Sequence, residues 1–288
     1  MSIAPSSTCL VESIPRHGYP LPDGFVSCGD VAFRRRGGHL EIASHLTVET
    51  VSDDTVVAAL VALVEAGELT GQAQFERAAT ELICSVSPDE AIAWAAFYDN
   101  SVRELRCGTA SFAPVHRRAR SLVRGRDVLE VGCCFGFFAL QCALDGHRVT
   151  ACDISTGAIE LLSATARRRG LDVSAIRGDA TDLPLPTDAV DTVTLIHLLE
   201  HLDESSVQRA IAEALRVARE RVVVAVPFEE QPSEHFGHQL RLTVNDLRRW
   251  AHRAGQPDAE IAVDHGGWLV LSATPTAAPR IRARLRTP

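Results

Sequence analysis

Polar or glycine-rich residues follow four apolar, strand-like segments of this chain. The first segment runs into EVGCCFG (130–136), the second ends at Asp153, the third is followed by Asp179 and the fourth by His197. Because ligands of an open parallel sheet bind at the carboxyl ends of its strands, these four places predict one binding cleft. Its glycines would let the backbone approach a ligand, and Asp153 could accept both hydrogen bonds of a ribose diol.

The glycine spacing argues against a dinucleotide ligand. The fingerprint GxGxxG, started at Gly132, would need two further glycines where the chain has Cys134 and Phe137. The observed pattern is Gly132-x-x-x-Gly136, preceded by Glu130, whose charge would repel a pyrophosphate. A carboxylate there could instead organise water and amides around a cationic, zwitterionic ligand. S-adenosylmethionine, which carries a sulfonium and an ammonium group and no phosphate, has that chemistry.

Strands and helices alternate from about residue 110 onward. Predicted strands cover 127–131, 148–152, 173–177, 192–196 and 221–226, and predicted helices cover 113–124, 137–146, 156–170 and 205–219. A helix at 244–255 and strands at 259–263 and 268–273 predict a closing antiparallel hairpin. The pattern predicts an α/β fold with a doubly wound, mostly parallel seven-stranded sheet.

The first third of the chain lacks this alternation. VAFRRRGGHLEIAS (31–44) predicts a hairpin around Gly37–Gly38. Three helices are predicted after it: 55–66 capped by Asp53 or Asp54, 72–84, and 88–105 with Pro88 in its first turn. We therefore divide the chain into an irregular lead-in (1–30), a mainly helical cap or substrate region (31–110), a ligand-binding domain (111–275) and a basic tail (276–288).

Composition excludes several classes of protein. The 29 basic and 37 acidic residues give a net charge of −8, which argues against a general nucleic-acid binder. All the basic residues are Arg, which removes Schiff-base chemistry. The longest apolar run, at 56–64, is far shorter than a membrane span. The eight cysteines form no CxxC pair, and no secretory signal precedes them, so we expect reduced thiols and a cytoplasmic protein.

The segments DVLEVGCCFGF, VTACDIS, IRGDATDLPLPTDAVDTVTLIHLLEHL and RVVVAVPFE, in this order and spacing, resemble the class I S-adenosylmethionine-dependent methyltransferases. The resemblance covers roughly residues 111–274 and implies S-adenosylmethionine as the methyl donor. It implies a methionine-side loop of Glu130, Gly132, Cys133 and Gly136, ribose binding by Asp153, adenine contacts from Ile154, Asp179 and Ala180, and a loop-shaping role for His197. The chain departs from the family at Cys134, which stands where a middle glycine is usual. We expect Cys134 to need a negative φ or a wider turn.

The whole-chain layout, from VAFRRRGGHLEIASHLT through LIHLLEHLD and FGHQLR to DHGGWLVL, resembles the mycofactocin oligosaccharide methyltransferases. These enzymes methylate a sugar hydroxyl on the glucan chain of a peptide-derived redox cofactor. The resemblance implies O-methylation of that oligosaccharide. Three alternatives stay open: methylation of another small-molecule natural product, a nicotinamide-dependent oxidoreductase, and a non-catalytic S-adenosylmethionine-binding module.

A sugar hydroxyl is a poor nucleophile, so a proton acceptor that titrates near the working pH is expected beside it. Three histidines qualify by position, ranked His238 first, then His197, then His235. The loop after the fifth strand suggests an alternative, a divalent metal held by Glu229 and Glu230, although most polar loops are only solvated and we predict no metal. We interpret His201 as a buried histidine that supports the turn after the fourth strand.

Overall fold

The structure, a computed structural model, describes residues 23–273 and the backbone of the strand at residues 9–13. The predicted basic tail (276–288) lies outside the described residues. Among the described residues, none of the helices is both long enough and apolar enough to span a membrane.

The N-terminal part, up to residue 110, combines a four-stranded sheet with three helices. Its elements are β1 (Cys9–Ser13), β2 (Val26–Cys28), β3 (Val31–Arg36), β4 (His39–Ser44), α1 (Asp53–Glu65), α2 (Gly71–Cys84) and α3 (Glu90–Cys107). The sheet order is β1-β4-β3-β2, with β1 parallel to β4 and the other pairs antiparallel. The hairpin predicted around Gly37–Gly38 is confirmed as β3 and β4.

The prediction that residues 1–30 are irregular is wrong in two places, because β1 and β2 belong to this stretch. β1 pairs with β4, which lies far along the chain. The ladder hydrogen bonds that stabilise such an edge strand come from a distant partner, so no local pattern in a Pro- and Ser-rich segment reveals them. A sheet therefore accompanies the three helices of the N-terminal part.

Two helix starts also differ from the prediction. α1 is capped by Ser52 rather than by Asp53 or Asp54, because Ser52 and Thr55 exchange hydrogen bonds in a capping box. α3 begins after Asp89, whose side chain accepts a hydrogen bond from the Ala91 amide. Asp89 is therefore the cap, and Pro88 precedes it. Asp53 and Asp54 instead lie in the first turn of α1, where their negative charges interact favourably with the positive end of the helix dipole.

The second part of the chain is built on a seven-stranded sheet. Its elements are α4 (Ala113–Leu122), β5 (Asp127–Val131), α5 (Phe137–Leu144), β6 (Arg148–Asp153), α6 (Thr156–Arg169), β7 (Val173–Arg177), β8 (Val190–Ile196), α7 (Glu204–Val217), β9 (Ala218–Val226), α8 (Val244–Arg253), β10 (Glu260–Val263) and β11 (Gly267–Ser272). The strand order is β10-β11-β9-β8-β5-β6-β7. β5 to β9 are parallel, and β11 is antiparallel to both of its neighbours. The predicted doubly wound fold and its closing hairpin are confirmed.

Both faces of this sheet are buried, which explains why its strands are continuous apolar runs. In β9, Val222, Val224 and Val226 belong to the hydrophobic cluster that includes α7 and α8, whereas Val223 and Ala225 belong to the cluster that includes α4, α5, α6 and the N-terminal helices. The strand order reverses between β5 and β8, so the loops after these strands diverge and leave a cleft. The N-terminal part shares one hydrophobic core with α4, α5 and α6 on the face that carries Val223 and Ala225.

Candidate active site

The turn between β5 and α5 requires glycine at two positions. Gly132 and Gly136 both have φ values of 71°, in the left-handed region that disfavours residues with a Cβ. A Cβ at Gly132 would lie 2.6 Å from Leu198, and one at Gly136 would overlap Leu162. The backbone of this turn is therefore bare at Gly132 and Gly136, where Leu198 and Leu162 occupy the space that a Cβ would need.

Cys134 has a φ of 47°, so the expectation of a negative φ or a wider turn at this position is wrong. Its backbone N–H donates a 2.8 Å hydrogen bond to the Asp153 carboxylate. This contact from the next strand offsets the roughly 1–3 kcal/mol that a left-handed conformation costs a residue with a Cβ. The turn keeps the shape of a glycine turn because a tertiary contact holds it. Cys133, beside it, is buried.

Asp153 connects the turns that follow β5 and β6. One carboxylate oxygen accepts the Cys134 amide and the other accepts the Ser155 amide at 2.9 Å. Each carboxylate oxygen has a second lone pair, so the group can still accept hydrogen bonds from a ligand diol. Its neighbour Ile154 is 66% exposed, the largest value among the exposed large hydrophobic residues described. A carboxylate beside an exposed aliphatic side chain suits a ribose joined to a purine.

Asp179 lies after β7, next to these residues. The Gly178 amide donates to the Asp153 carbonyl at 3.0 Å, which fixes the two strand ends against each other. The Asp179 carboxylate accepts hydrogen bonds from the backbone and hydroxyl of Thr181, which lower its pKa. Ala180 is half-buried against the core. The structure therefore brings Asp153, Ile154, Asp179 and Ala180 to one edge of the sheet, as a donor site for S-adenosylmethionine requires.

Glu130 lies beneath the glycine turn rather than in the open cleft. It is buried, and its carboxylate accepts a 2.9 Å hydrogen bond from the Ala139 amide in the first turns of α5. Burial raises its pKa to about 8. Its observed contact positions the start of α5, and through it the turn that the glycines form.

A second cluster of polar groups follows β8 and β9. His197, at the end of β8, has a φ of 50°, and its Nδ1 lies 3.3 Å from a carboxylate oxygen of Glu200. The ring also packs edge-on against Phe112, with centroids 4.7 Å apart. Burial lowers the pKa of His197 to about 4, so its imidazole is neutral and only weakly basic at pH 7.

Glu200 is the residue of this cluster that the sequence analysis did not find. It lies in a short 3-10 helix at Leu199–His201, it is completely buried, and neither carboxylate oxygen has a hydrogen-bond partner among the described residues. Burial raises its pKa to about 8. An acidic residue inside the apolar run LLEHL is the sequence signal for it, because a glutamate rarely enters a core without a role.

His238 faces Glu200 from the loop after β9. Its Nδ1 lies 2.7 Å from the Glu229 carboxylate, which also accepts a 2.6 Å hydrogen bond from Ser233. Burial acts to raise the pKa of Glu229, but the hydrogen bonds from Ser233 and His238 outweigh it and lower the pKa overall. An ionised carboxylate only accepts, so Nδ1 carries the proton and Nε2 of His238 is free.

His235 and Glu230 do not join this cluster. His235, in a second short 3-10 helix (Glu234–Phe236), packs its ring 5.4 Å from Phe75 of α2, and burial lowers its pKa. Glu230 is exposed. Within residues 23–273, a group whose ligand atoms all lie within 4.8 Å of one another, close enough to hold a metal ion, is formed by Glu200, His201 and His238. The suggested pair Glu229 and Glu230 is not such a group, because Glu229 is occupied by Ser233 and His238.

Comparisons with known proteins found methyltransferases. Residues 128–221 match the family model of a methyltransferase domain. A probable S-adenosylmethionine-dependent methyltransferase of Mycolicibacterium smegmatis is 30% identical over 165 residues, 54% of this chain and 62% of that protein. A demethylmenaquinone methyltransferase of Beutenbergia cavernae is 36% identical over 103 residues, 35% of this chain and 40% of that protein. A solved S-adenosylmethionine-dependent methyltransferase from Aquifex aeolicus has a TM-score of 0.46 at 16% identity, over 60% of this chain and 99% of that one.

The chain spans less than two thirds of the length of either relative. The matched residues nevertheless contain the segments predicted to bind the methyl donor: the glycine turn after β5 and the strand ends at Asp153 and Asp179. The observed sheet is the mostly parallel seven-stranded sheet with a closing antiparallel hairpin that the sequence predicted. The chain thus has the mostly parallel seven-stranded fold of the class I methyltransferases, and its residues 128–221 match a methyltransferase domain.

Proposed function

We propose that the protein is an O-methyltransferase that transfers the methyl group of S-adenosylmethionine to a sugar hydroxyl, with the mycofactocin oligosaccharide as its acceptor. S-adenosylmethionine supplies a methyl group on a sulfonium, which is already activated for transfer. The protein's contribution is then to hold donor and acceptor in line, which can lower a barrier by ~7–11 kcal/mol, and to accept the hydroxyl proton.

The observation that carries this proposal is a cavity of about 460 Å³ beside the histidine cluster. Its size falls in the range of small-molecule sites. This open cavity is lined by the apolar Leu242 and Val244 together with side chains that can contact a sugar ring or its hydroxyl groups: Phe228, Glu229, Glu230, Arg241, Thr243 and Asn245. Glu229 lines the cavity and also holds Nδ1 of His238, so an acceptor in the cavity would lie beside the Glu229–His238 pair.

His238 is the proposed proton acceptor, ahead of His197 and His235. Glu229 fixes its tautomer and stabilises the imidazolium that forms when Nε2 takes a proton. His197 ranks second because its lowered pKa makes it a weak base. His235 ranks third because its ring packs against Phe75 and Phe236. Such a base contributes about 10²–10⁴-fold to a rate.

The N-terminal part is the proposed cover of the acceptor side. The helix Glu234–Phe236 packs on α2, with the rings of Phe75 and Phe236 5.2 Å apart. The loop that carries His238 is therefore held between the sheet and the N-terminal part. A cover of this kind excludes water from the transfer and selects the acceptor by shape.

The proposal is tested by incubating the protein with S-adenosylmethionine and a short α-linked or β-linked glucose oligosaccharide, in parallel with a demethylated quinone. We expect O-methyl sugars by mass spectrometry, with no product from the quinone. Methylation of the quinone alone would refute the sugar acceptor and favour another small molecule. Thermal stabilisation by S-adenosylmethionine without any transfer would favour a binding module, and stabilisation by a nicotinamide dinucleotide instead would favour an oxidoreductase.

A further inference from the structure

We propose that Glu200, His201 and His238 form a binding site for a divalent transition-metal ion, and that the bound ion blocks the proposed methyl transfer. Two of these residues come from the 3-10 helix after β8, and the third comes from the loop after β9. Two imidazoles and one carboxylate are the ligands that three-residue Zn²⁺ sites use, with a fourth position left open.

Glu200 gives the first independent reason for an ion. Its side chain is completely buried, yet both carboxylate oxygens lack a hydrogen-bond partner among the described residues. A buried polar group without a partner destabilises a fold, and native proteins seldom retain one without a ligand or an ion. One oxygen lies 3.3 Å from Nδ1 of His197 and 4.0 Å from Nε2 of His238, so the carboxylate faces the histidines of the cluster.

The orientation of His238 gives the second reason. Metal-binding histidines usually donate their other ring N–H to a carboxylate, which fixes the tautomer and turns the free nitrogen toward the ion. His238 has that arrangement, with Nδ1 at 2.7 Å from Glu229 and Nε2 toward Glu200. Ser233 in turn holds the Glu229 carboxylate.

Backbone hydrogen bonds keep the two ligand-bearing segments together. The amides of Gln239 and Leu240 both donate to the Glu200 carbonyl, at 2.8 and 3.2 Å. The Gln239 side chain donates to the His201 carbonyl at 2.7 Å. The His201 and His238 rings pack edge to face, with centroids 4.8 Å apart. Ligand atoms on one Zn²⁺ ion lie roughly 3–3.5 Å apart, so small side-chain rotations complete the site.

The blocking part of this inference rests on the proposed function. The metal-binding nitrogen of His238 is Nε2, the same atom that would accept the hydroxyl proton. While an ion holds that nitrogen, His238 cannot act as a base. The donor site, on the other side of the cleft at Asp153 and Asp179, is untouched.

Metal binding is tested directly on the full chain after treatment with a chelator. Titration with Zn²⁺ by calorimetry, and with Co²⁺ by its visible absorption, should show one ion per chain. Glu200→Gln and His201→Asn should each weaken binding by at least tenfold, whereas Glu230→Gln and His252→Ala, at exposed positions, should leave it unchanged. Because Glu200→Gln could disturb the core, the circular dichroism of both ligand variants is compared with that of the unaltered protein. The site would be overturned if the unaltered protein bound no ion. It would also be overturned if both ligand variants bound the ion as tightly as the unaltered protein does.

Methyl transfer is then measured on the same samples. One equivalent of Zn²⁺ should suppress transfer at least tenfold, leave S-adenosylmethionine affinity unchanged, and be reversed by EDTA. Stimulation by the ion would overturn the blocking role. If the ion binds at these ligands but the protein transfers no methyl group, with or without EDTA, the proposed function is refuted and the metal site stands. Methyl transfer by a protein that binds no ion would refute the metal site but leave the proposed function intact.

Discussion

Replacing Asp153 by alanine should weaken S-adenosylmethionine binding by ~10- to 100-fold and also destabilise the protein. The variant loses the acceptor for a ribose diol, and two charge-assisted hydrogen bonds at a partly exposed place are worth about 1.4–2.8 kcal/mol. It also frees the amides of Cys134 and Ser155, which the carboxylate holds at 2.8 and 2.9 Å. At about 1 kcal/mol for each of these, the free energy of unfolding should fall by about 2 kcal/mol.

A second substitution separates the two effects. Cys134→Gly removes the backbone strain of a φ of 47° and should keep the glycine turn in shape without help from Asp153. If Asp153→Ala acts through the ribose, adding Cys134→Gly should restore part of the stability and none of the affinity. Affinity is measured by calorimetry and stability by urea unfolding, with Asp172→Ala at an exposed position as the control. Unchanged affinity in a folded Asp153→Ala protein would sink the ribose assignment, and recovery of affinity in the double variant would show that Asp153 acts only on the turn.

Three further predictions follow from the cluster, the core and the cover. His238→Asn should lower turnover by about two orders of magnitude or more with S-adenosylmethionine affinity nearly unchanged, and normal turnover would remove His238 as the base. Because the Glu130 pKa is raised from 4.5 to about 8, the folded protein binds a proton there that the unfolded chain has lost, and its stability falls as pH rises through that window. In urea unfolding, the free energy of unfolding of Glu130→Gln should therefore rise relative to that of the unaltered protein as the pH goes from 5 to 8.5. The same difference between the two proteins at both pH values would contradict the burial argument. Phe75→Ala should raise the acceptor KM severalfold with S-adenosylmethionine affinity unchanged, and an unaltered KM would argue against the N-terminal part as a cover.

The parallel strands could be predicted closely because each is short, apolar and bounded by glycine or charged residues. β5 and β7 occupy the predicted residues, and β6 differs only by including Asp153. Burial on both faces leaves a continuous hydrophobic run, which is a strong local signal. β1 has no such signal, since its pairing with β4 depends on a partner far along the chain.

The meeting of Asp153 and Asp179 at one edge of the sheet could also be predicted, whereas the polar cluster after β8 and β9 could be predicted only in part. Asp153 and Asp179 were identifiable because position in a parallel sheet alone sends strand ends to one edge. The positive φ of Cys134 was not identifiable, because it depends on the hydrogen bond from the Cys134 amide to Asp153, a contact that forms only in the folded protein. Glu200 was missed for a related reason, since an acidic residue in an apolar run reveals nothing about its hydrogen bonds until the fold surrounds it.

The rings that join the N-terminal part to α5 bear on how the chain is made on the ribosome. Phe97 and Tyr98 of α3 pack against Phe137 of α5, with centroids 5.6 and 5.5 Å apart. α3 is synthesised before β5 and α5, so these large apolar side chains have no core to enter until the first strand and helix of the sheet have emerged. During that interval these side chains lack the ring contacts that α5 provides. Once released, the two parts should melt in a single calorimetric transition, because neither retains a complete core without the other.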